Sequence, residues 1–190
     1  GGRVWIDGAE GARFVAGAAE GLGPVDILVA NAGGPPGGTF ASTELAGYEE
    51  ALRLNLLSTI ALCQAAVPGM QERGWGRVVA ITSVGARQPI GRLIASSTAR
   101  AGVTAFLKVL ATEVAGDGVT VTSVQPGMHA PDRLSHLGTA LDDLARQIPV
   151  GFVGDPADFG AIVTFLCSEQ AKFITGSALP IEGGTVGGLQ

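Results

Sequence analysis

Five polar stretches of this 190-residue chain end or interrupt apolar runs, and they carry the side chains with chemistry to offer. They are Asn31-Ala32-Gly33, Asn55, Ser83, the pair Ser96 and Arg100, and Pro126-Gly127. Serine hydroxyls such as those of Ser83 and Ser96 orient a carbonyl or alcohol oxygen, with no useful acidity of their own. Ser96 and Arg100 stand four apart in a helical pattern and share one face. The guanidinium supplies positive charge, yet with a pKa above about 12 it does not relay protons. Asn55 lies mid-helix among leucines, where Asn is a poor choice energetically. A buried polar bridge and a water-organising role both account for it. Either of His129 and His136 would deliver the proton that Ser96 cannot; the plain alternative is a pair of exposed loop residues. The two histidines lack the carboxylate or thiol spacing of a zinc site, so no metal is expected.

The elements that must position these groups follow from periodicity. RVWID (3–7), VDILVAN (25–31), GRVVAITS (76–83), VTVTSVQP (119–126) and ALPI (178–181) read as strands, four of them too continuously apolar to have a solvated face. Between them, 10–23, 47–74, 96–118 and 155–171 carry apolar residues at helical spacing. Asp155-Pro156 opens the last helix with an N-cap and N1 signature. Alternating β and α elements with right-handed crossovers predict an α/β fold, a doubly wound parallel sheet with helices on both faces. Ligands bind outside the carboxyl ends of such strands, where Asn31-Ala32-Gly33, Ser83 and Pro126-Gly127 fall. The 127–154 stretch is the one long irregular connection, a length usual for a lid.

Composition narrows the partners. A formal charge of −5 and only two lysines, Lys108 and Lys172, argue against nucleic acid. No apolar run approaches the roughly 18 residues of a membrane span, and the first residues show no targeting pattern, so a cytoplasmic setting is the expectation. Cys63 and Cys167 sit far apart inside apolar helical patterns, as reduced, buried thiols do.

The motifs together resemble the short-chain dehydrogenase/reductase family. ILVANAG is similar to its Asn-Ala-Gly motif, LNLLS to the helix with its catalytic Asn (Asn55), VVAITSVGA to the strand ending in its catalytic Ser (Ser83), VTVTSVQPG to its Pro-Gly turn and FITGSALPIEGG to its last strand. The resemblance covers essentially the whole chain. It implies a single Rossmann-like domain over 1–190, an NAD or NADP cofactor, a small carbonyl or alcohol substrate in a 3-oxoacyl-reductase-like reaction, and a homodimer or homotetramer built from the two long helices. It places Asp7, Asn31, Ala32, Gly33, Arg100, Pro126 and Gly127 at the cofactor, and Asn55, Ser83, Ser96 and Arg100 in catalysis.

Two departures qualify that picture. The family begins with a strand, a Gly-rich turn and a helix that hold the cofactor pyrophosphate, whereas RVWID here resembles its third strand, with Asp7 matching the residue that contacts the adenine. Two βα units, on the order of 60 residues at about 30 each, are absent. Two empty lanes of roughly 4.8 Å would then separate RVWID from ILVAN, so the native polypeptide is expected to be longer than this sequence. GGPPGG (33–38) is no substitute, because Pro35 and Pro36 offer no N–H to a phosphate. The second departure is the active-site pair: the family's Tyr and Lys positions hold Ser96 and Arg100, Pro131 stands where a Thr usually contacts the nicotinamide, and the one tyrosine, Tyr48, is remote in sequence. A divergent branch of the family is similar in NAGGPP, RQP, RAG and a Ser at the Tyr position, which implies a rewritten site. Halohydrin dehalogenases resemble the chain in the Arg but keep the Tyr. The other reading is a catalytically impaired member that binds a ligand or partner without turnover.

Overall fold

A computed structural model describes residues 8–130 and 139–188. RVWID with Asp7, and Pro131 and His136, lie outside the described residues. Four strands, β1 (Ile27–Asn31), β2 (Gly76–Ile81), β3 (Val119–Pro126) and β4 (Ala178–Ile181), form one parallel sheet in the order β1-β2-β3-β4. The register pairs Asn31 with Ile81, Ile81 with Val124 and Pro126 with Ile181, which brings the carboxyl ends of the strands to one edge. The strand expected over 76–83 stops at Ile81: Ser83 caps a short turn at Val84–Ala86 instead of continuing the ladder.

Alternation along the strands builds two cores. Leu28, Ala30, Val78, Ala80, Val119 and Val121 face helices α3 (Ser58–Arg73) and α4 (Ile94–Val114), with α1 (Gly8–Leu22) packed on α3. Val79 and Val124 face α6 (Pro156–Leu166) on the other side. The Asp155 side chain accepts the Ala157 N–H at 2.7 Å, with Pro156 at the helix start, as the sequence predicts. Over β1 that second face is open: Ile27 and Val29 are each 46% exposed.

The helix expected over 47–74 is a longer, interrupted one. It starts as α2 (Leu45–Leu52), widens into a π-helical turn over Arg53–Leu57, and resumes as α3 until Gly74, whose φ of 68° ends it. By length and a mean hydropathy of 1.3, Leu45–Arg73 would suit a membrane, but its apolar residues Cys63, Ala66, Val67 and Met70 are spent on the sheet. The irregular stretch after β3 also contains a helix, α5 (Thr139–Ala145). Finally, α4 begins at Ile94 with Leu93 in the cap position, so Ser96 lies within the first turn and caps nothing.

Candidate active site

The carboxyl edge of the sheet is held together by one cation. Arg100, 7% exposed, rises from α4 and donates through one terminal nitrogen to the Ile81 carbonyl at 2.6 Å and through the other to the Ala32 carbonyl at 3.1 Å. Its planar fork thus ties the ends of β1 and β2. The Nε is buried without a partner. Burial pushes the guanidinium down to about 10, still cationic at neutral pH. Arg100 was expected at the cofactor, and its two terminal nitrogens are instead committed to backbone.

Asn55 completes the same floor. The π-helical turn swings it out of the helical repeat, and such bulges commonly mark functional positions. The side chain is 1% exposed; Nδ2 donates to the Gly33 carbonyl at 2.9 Å, while Oδ1 is buried with no partner. Bridge and orphan are therefore both present: one end of the amide holds Gly33, and the other is an acceptor waiting for a water or ligand donor. Asn31 is exposed at the strand end, and a side chain added at Gly33 or Gly34 would meet nothing within 4 Å. A cavity of about 210 Å³ runs beside them, lined by Ala30, Asn31, Ala32, Gly33, Leu54 and Ser58 among others.

The hydroxyls lie one strand over. Ser83 Oγ accepts the Gly85 N–H at 2.9 Å, which fixes its lone pairs and leaves its proton to donate. Ser96 is half-buried in the first turn of α4, and its hydroxyl makes no hydrogen bond. Its neighbour Ser97, which sequence reasoning missed, is 7% exposed and accepts the Ile90 N–H at 3.3 Å. A Cβ on Gly85 would lie 3.2 Å from Ser83 Oγ and 3.3 Å from Ser97 Oγ, so a larger residue would push on both hydroxyls that flank this turn. That glycine two residues after Ser83 was the available signal.

Pro126 ends β3, and the Gly127 N–H donates to the Ile181 carbonyl at 2.9 Å. A Cβ on Gly127 would sit 2.6 Å from that of Glu182, so the turn requires a glycine. His129 packs edge-on against Phe159 of α6, centroids 5.1 Å apart, with Nδ1 3.2 Å from the Gly127 carbonyl. Ser96 stands on α4, which packs on the other face of the sheet from α6. Tyr48, remote in sequence, is close in space to the same helix: it packs on Ala51, Ala95 and Ala99.

The residues present fit the ribose and nicotinamide side of a dinucleotide: an exposed Asn31, an unencumbered Gly33 and the orphaned Asn55 acceptor line one edge. Among the described residues none forms a Gly-rich turn leading into a helix after a first strand, the feature that holds a pyrophosphate.

Comparison with known proteins agrees with this architecture. The family model described as Enoyl-(Acyl carrier protein) reductase matches residues 7–186. The chain is 38% identical to nodulation protein G of Azospirillum brasilense over 164 residues, 86% of this chain and 67% of that protein. It is also 38% identical to the 3-oxoacyl-[acyl-carrier-protein] reductase FabG of Aquifex aeolicus over 162 residues, 84% of this chain and 65% of that one. It spans about two thirds of the length of these relatives. A solved NADPH-bound short chain oxidoreductase from Pseudomonas aeruginosa PAO1, described as containing an atypical catalytic center, superposes with a TM-score of 0.89 at 30% identity, over 96% of this chain and 74% of that one.

Proposed function

The chain belongs to the short-chain dehydrogenase/reductase family, and from that we propose that it is an NAD(P)-dependent oxidoreductase of small carbonyl or alcohol substrates, 3-oxoacyl compounds foremost. The observation that carries the proposal is the joint placement of Ser83, Asn55 and Arg100 around one strand edge, with Arg100 and Asn55 holding the Ala32 and Gly33 carbonyls. The 3-oxoacyl reductase among its relatives supports the substrate class.

NAD(P)H, when bound, supplies the hydride. The chain's own residues bind and orient. Ser83 donates its hydroxyl proton as a hydrogen bond to the substrate oxygen, because its acceptor side is taken by the Gly85 N–H. The unbonded Ser96 hydroxyl is the second donor. Arg100 keeps the edge positive, which favours a developing alkoxide. Neither a serine nor a guanidinium gives up a proton near pH 7, so the proton that completes the alcohol is relayed from bulk solvent through an ordered water, which solvent reprotonates, and Asn55 Oδ1 is the buried acceptor that orders it. Asn31, Ala32, Gly33, Pro126 and Gly127 are the cofactor-side residues, with Asp7 assigned there by family resemblance. A homodimer or homotetramer over α2–α4 is supported by the exposure of Leu45 (74%), Leu57 (50%) and Val109 (58%). A cytoplasmic setting goes with this reading.

The test is oxidation of NADPH or NADH in the presence of 3-oxoacyl thioesters. Removing one positioned donor to a developing oxyanion slows turnover by about 10²-fold, so Ser83→Ala is expected to lower kcat to that degree while leaving the fold intact. Nucleotide binding with no turnover on any carbonyl would replace the proposal with the ligand-binding, catalytically impaired reading. The observation favouring that second reading is that both terminal nitrogens of Arg100 are spent on backbone.

A further inference from the structure

A second cavity, of about 220 Å³, opens between α4 and the start of β4, lined by Arg87, Thr104, Lys108, Ser123, Gly176 and Ser177 among others. None of the residues assigned to the active site lines it. Two cations and no carboxylate line it, in a chain whose formal charge is −5. Among the described residues neither Arg87 nor Lys108 has a salt-bridge partner.

Arg87 is held in place. Its Nε donates to Oε1 of Gln125 at 3.3 Å, and Gln125 is a fully buried side chain at 1% exposure. One terminal nitrogen donates to the Ala178 carbonyl at 3.0 Å, which leaves the other without a partner. Lys108 stands on the opposite wall, its Nζ within 3.0 Å of where a Cβ on Gly176 would lie. Gly176 has φ +65°, a conformation that glycine adopts readily and that leaves this space to the ammonium. The Ser177 hydroxyl beside them makes no hydrogen bond. A fixed guanidinium, an exposed ammonium and an unused hydroxyl around a small cavity are complementary to a tetrahedral oxyanion with two charges.

We propose that this cavity binds a phosphate group, through Arg87 and Lys108 from two sides and Ser177 from the rim. A free phosphate ion and the terminal phosphate of a larger molecule present the same chemistry here. The site rests on charge and geometry outside the carboxyl edge, and stands whether or not the chain reduces carbonyls.

The experiment is a titration of the protein with inorganic phosphate and with ribose 5-phosphate at constant ionic strength, followed by the chemical shifts of the Gly176 and Ser177 amides. Lys108→Gln, Arg87→Gln and, as a control on the other lysine, Lys172→Gln are titrated alongside. Lys108 makes no side-chain hydrogen bond, so its replacement leaves the fold untouched even if that of Arg87 does not. Saturable shifts are expected, weakened on the order of tenfold by Lys108→Gln, the loss of one charge-assisted hydrogen bond, and unchanged by Lys172→Gln. Equal binding of both probes places the phosphate alone in the cavity, and tighter binding of ribose 5-phosphate points to a carried phosphate. Absence of saturation, or an equal response in the Lys108→Gln and Lys172→Gln proteins, would overturn the proposal.

Discussion

Replacing Arg100 by lysine restores the residue type that the family usually has at that position, and is expected to damage the protein rather than repair it. The fall of the guanidinium to about 10 reflects a burial cost of a few kcal/mol, on the order of 1.4 kcal/mol per pH unit. That cost is present at every pH below the folded pKa and is relieved only above it. Against it stand the bonds to Ile81 and Ala32, each worth about 1.5–3 kcal/mol as hydrogen bonds to a charged group. A lysine is also a buried cation, yet its single ammonium lacks the fork that reaches two carbonyls on different strands. It keeps the cost and loses one bond, so Arg100→Lys should be about 2 kcal/mol less stable. Arg100→Met loses both bonds but is freed of the burial cost, and should be destabilised by the same amount or less. Urea unfolding of the three proteins measures the order directly. A lysine variant as stable as the parent would show that the fork does not hold both strand ends, and a methionine variant more than about 2 kcal/mol worse than the lysine one would show that relief from burial does not offset the lost bonds.

Three further outcomes follow from the same geometry. Asn55→Asp replaces the Nδ2 donor to Gly33 with a carboxylate facing a carbonyl, and should cost about 2 kcal/mol and raise KM for the cofactor; denaturant unfolding and nucleotide titration check both. Gly127→Ala drives a Cβ to 2.6 Å from that of Glu182 and 2.8 Å from its Cα, so a loss of about 2 kcal/mol or more in thermal unfolding is expected, with Gly33→Ala, in open space, as the tolerated control. Burial raises the Glu182 carboxyl, but bonds from the Thr185 hydroxyl and the Val186 N–H outweigh it and leave the pKa lowered. The carboxylate therefore contributes stability above its unfolded pKa near 4.5, lost as the pH falls through the folded value. Glu182→Gln should remove about 1 kcal/mol at pH 7 and flatten that acid limb in a pH series of unfolding curves.

What could be read before the structure, and what could not, divides along a physical line. Strands announce themselves through continuous apolar runs, and the register of the sheet then fixes which residues share its carboxyl edge, so Asn31 and Pro126 fell where periodicity puts them, while Ser83 lies two residues past the end of its strand. The Asp155-Pro156 helix start was legible because the cap is local chemistry. The π-helical turn at Arg53–Leu57 was not, since its cause is tertiary: it lets Asn55 reach Gly33, 22 residues away, and nothing in RLNLL alone demands it. The helical pattern read from 96 begins two residues earlier, at Ile94, because the start is set by backbone bonds such as Ser97 N–H to the Leu93 carbonyl. Tyr48 looked remote because separation along the chain says nothing about how α2 packs on α4.

The same division bears on whether the site is rewritten or lost. Arg100 does not separate the two readings, because its bonds to Ile81 and Ala32 give even a non-catalytic chain a reason to keep the cation. The Ser83 and Ser97 hydroxyls flank a turn at Gly85 that leaves little room for a larger residue. What the site lacks is a group of useful acidity, which leaves the proton to be relayed from solvent. Rebuilding that group is the sharpest test of the argument. In Ser96→Tyr/Arg100→Lys the phenol regains a neighbouring ammonium one helical turn away, which lowers its pKa from about 10. If proton supply limits the natural site, the double variant should turn over faster than the parent, with a pH profile that rises through the phenol's pKa in the oxidative direction, despite the stability lost at Arg100. A double variant slower than the parent, with no new ionisation in its profile, would mean that the proton is already well supplied and that Ser96 and Arg100 are adapted to each other.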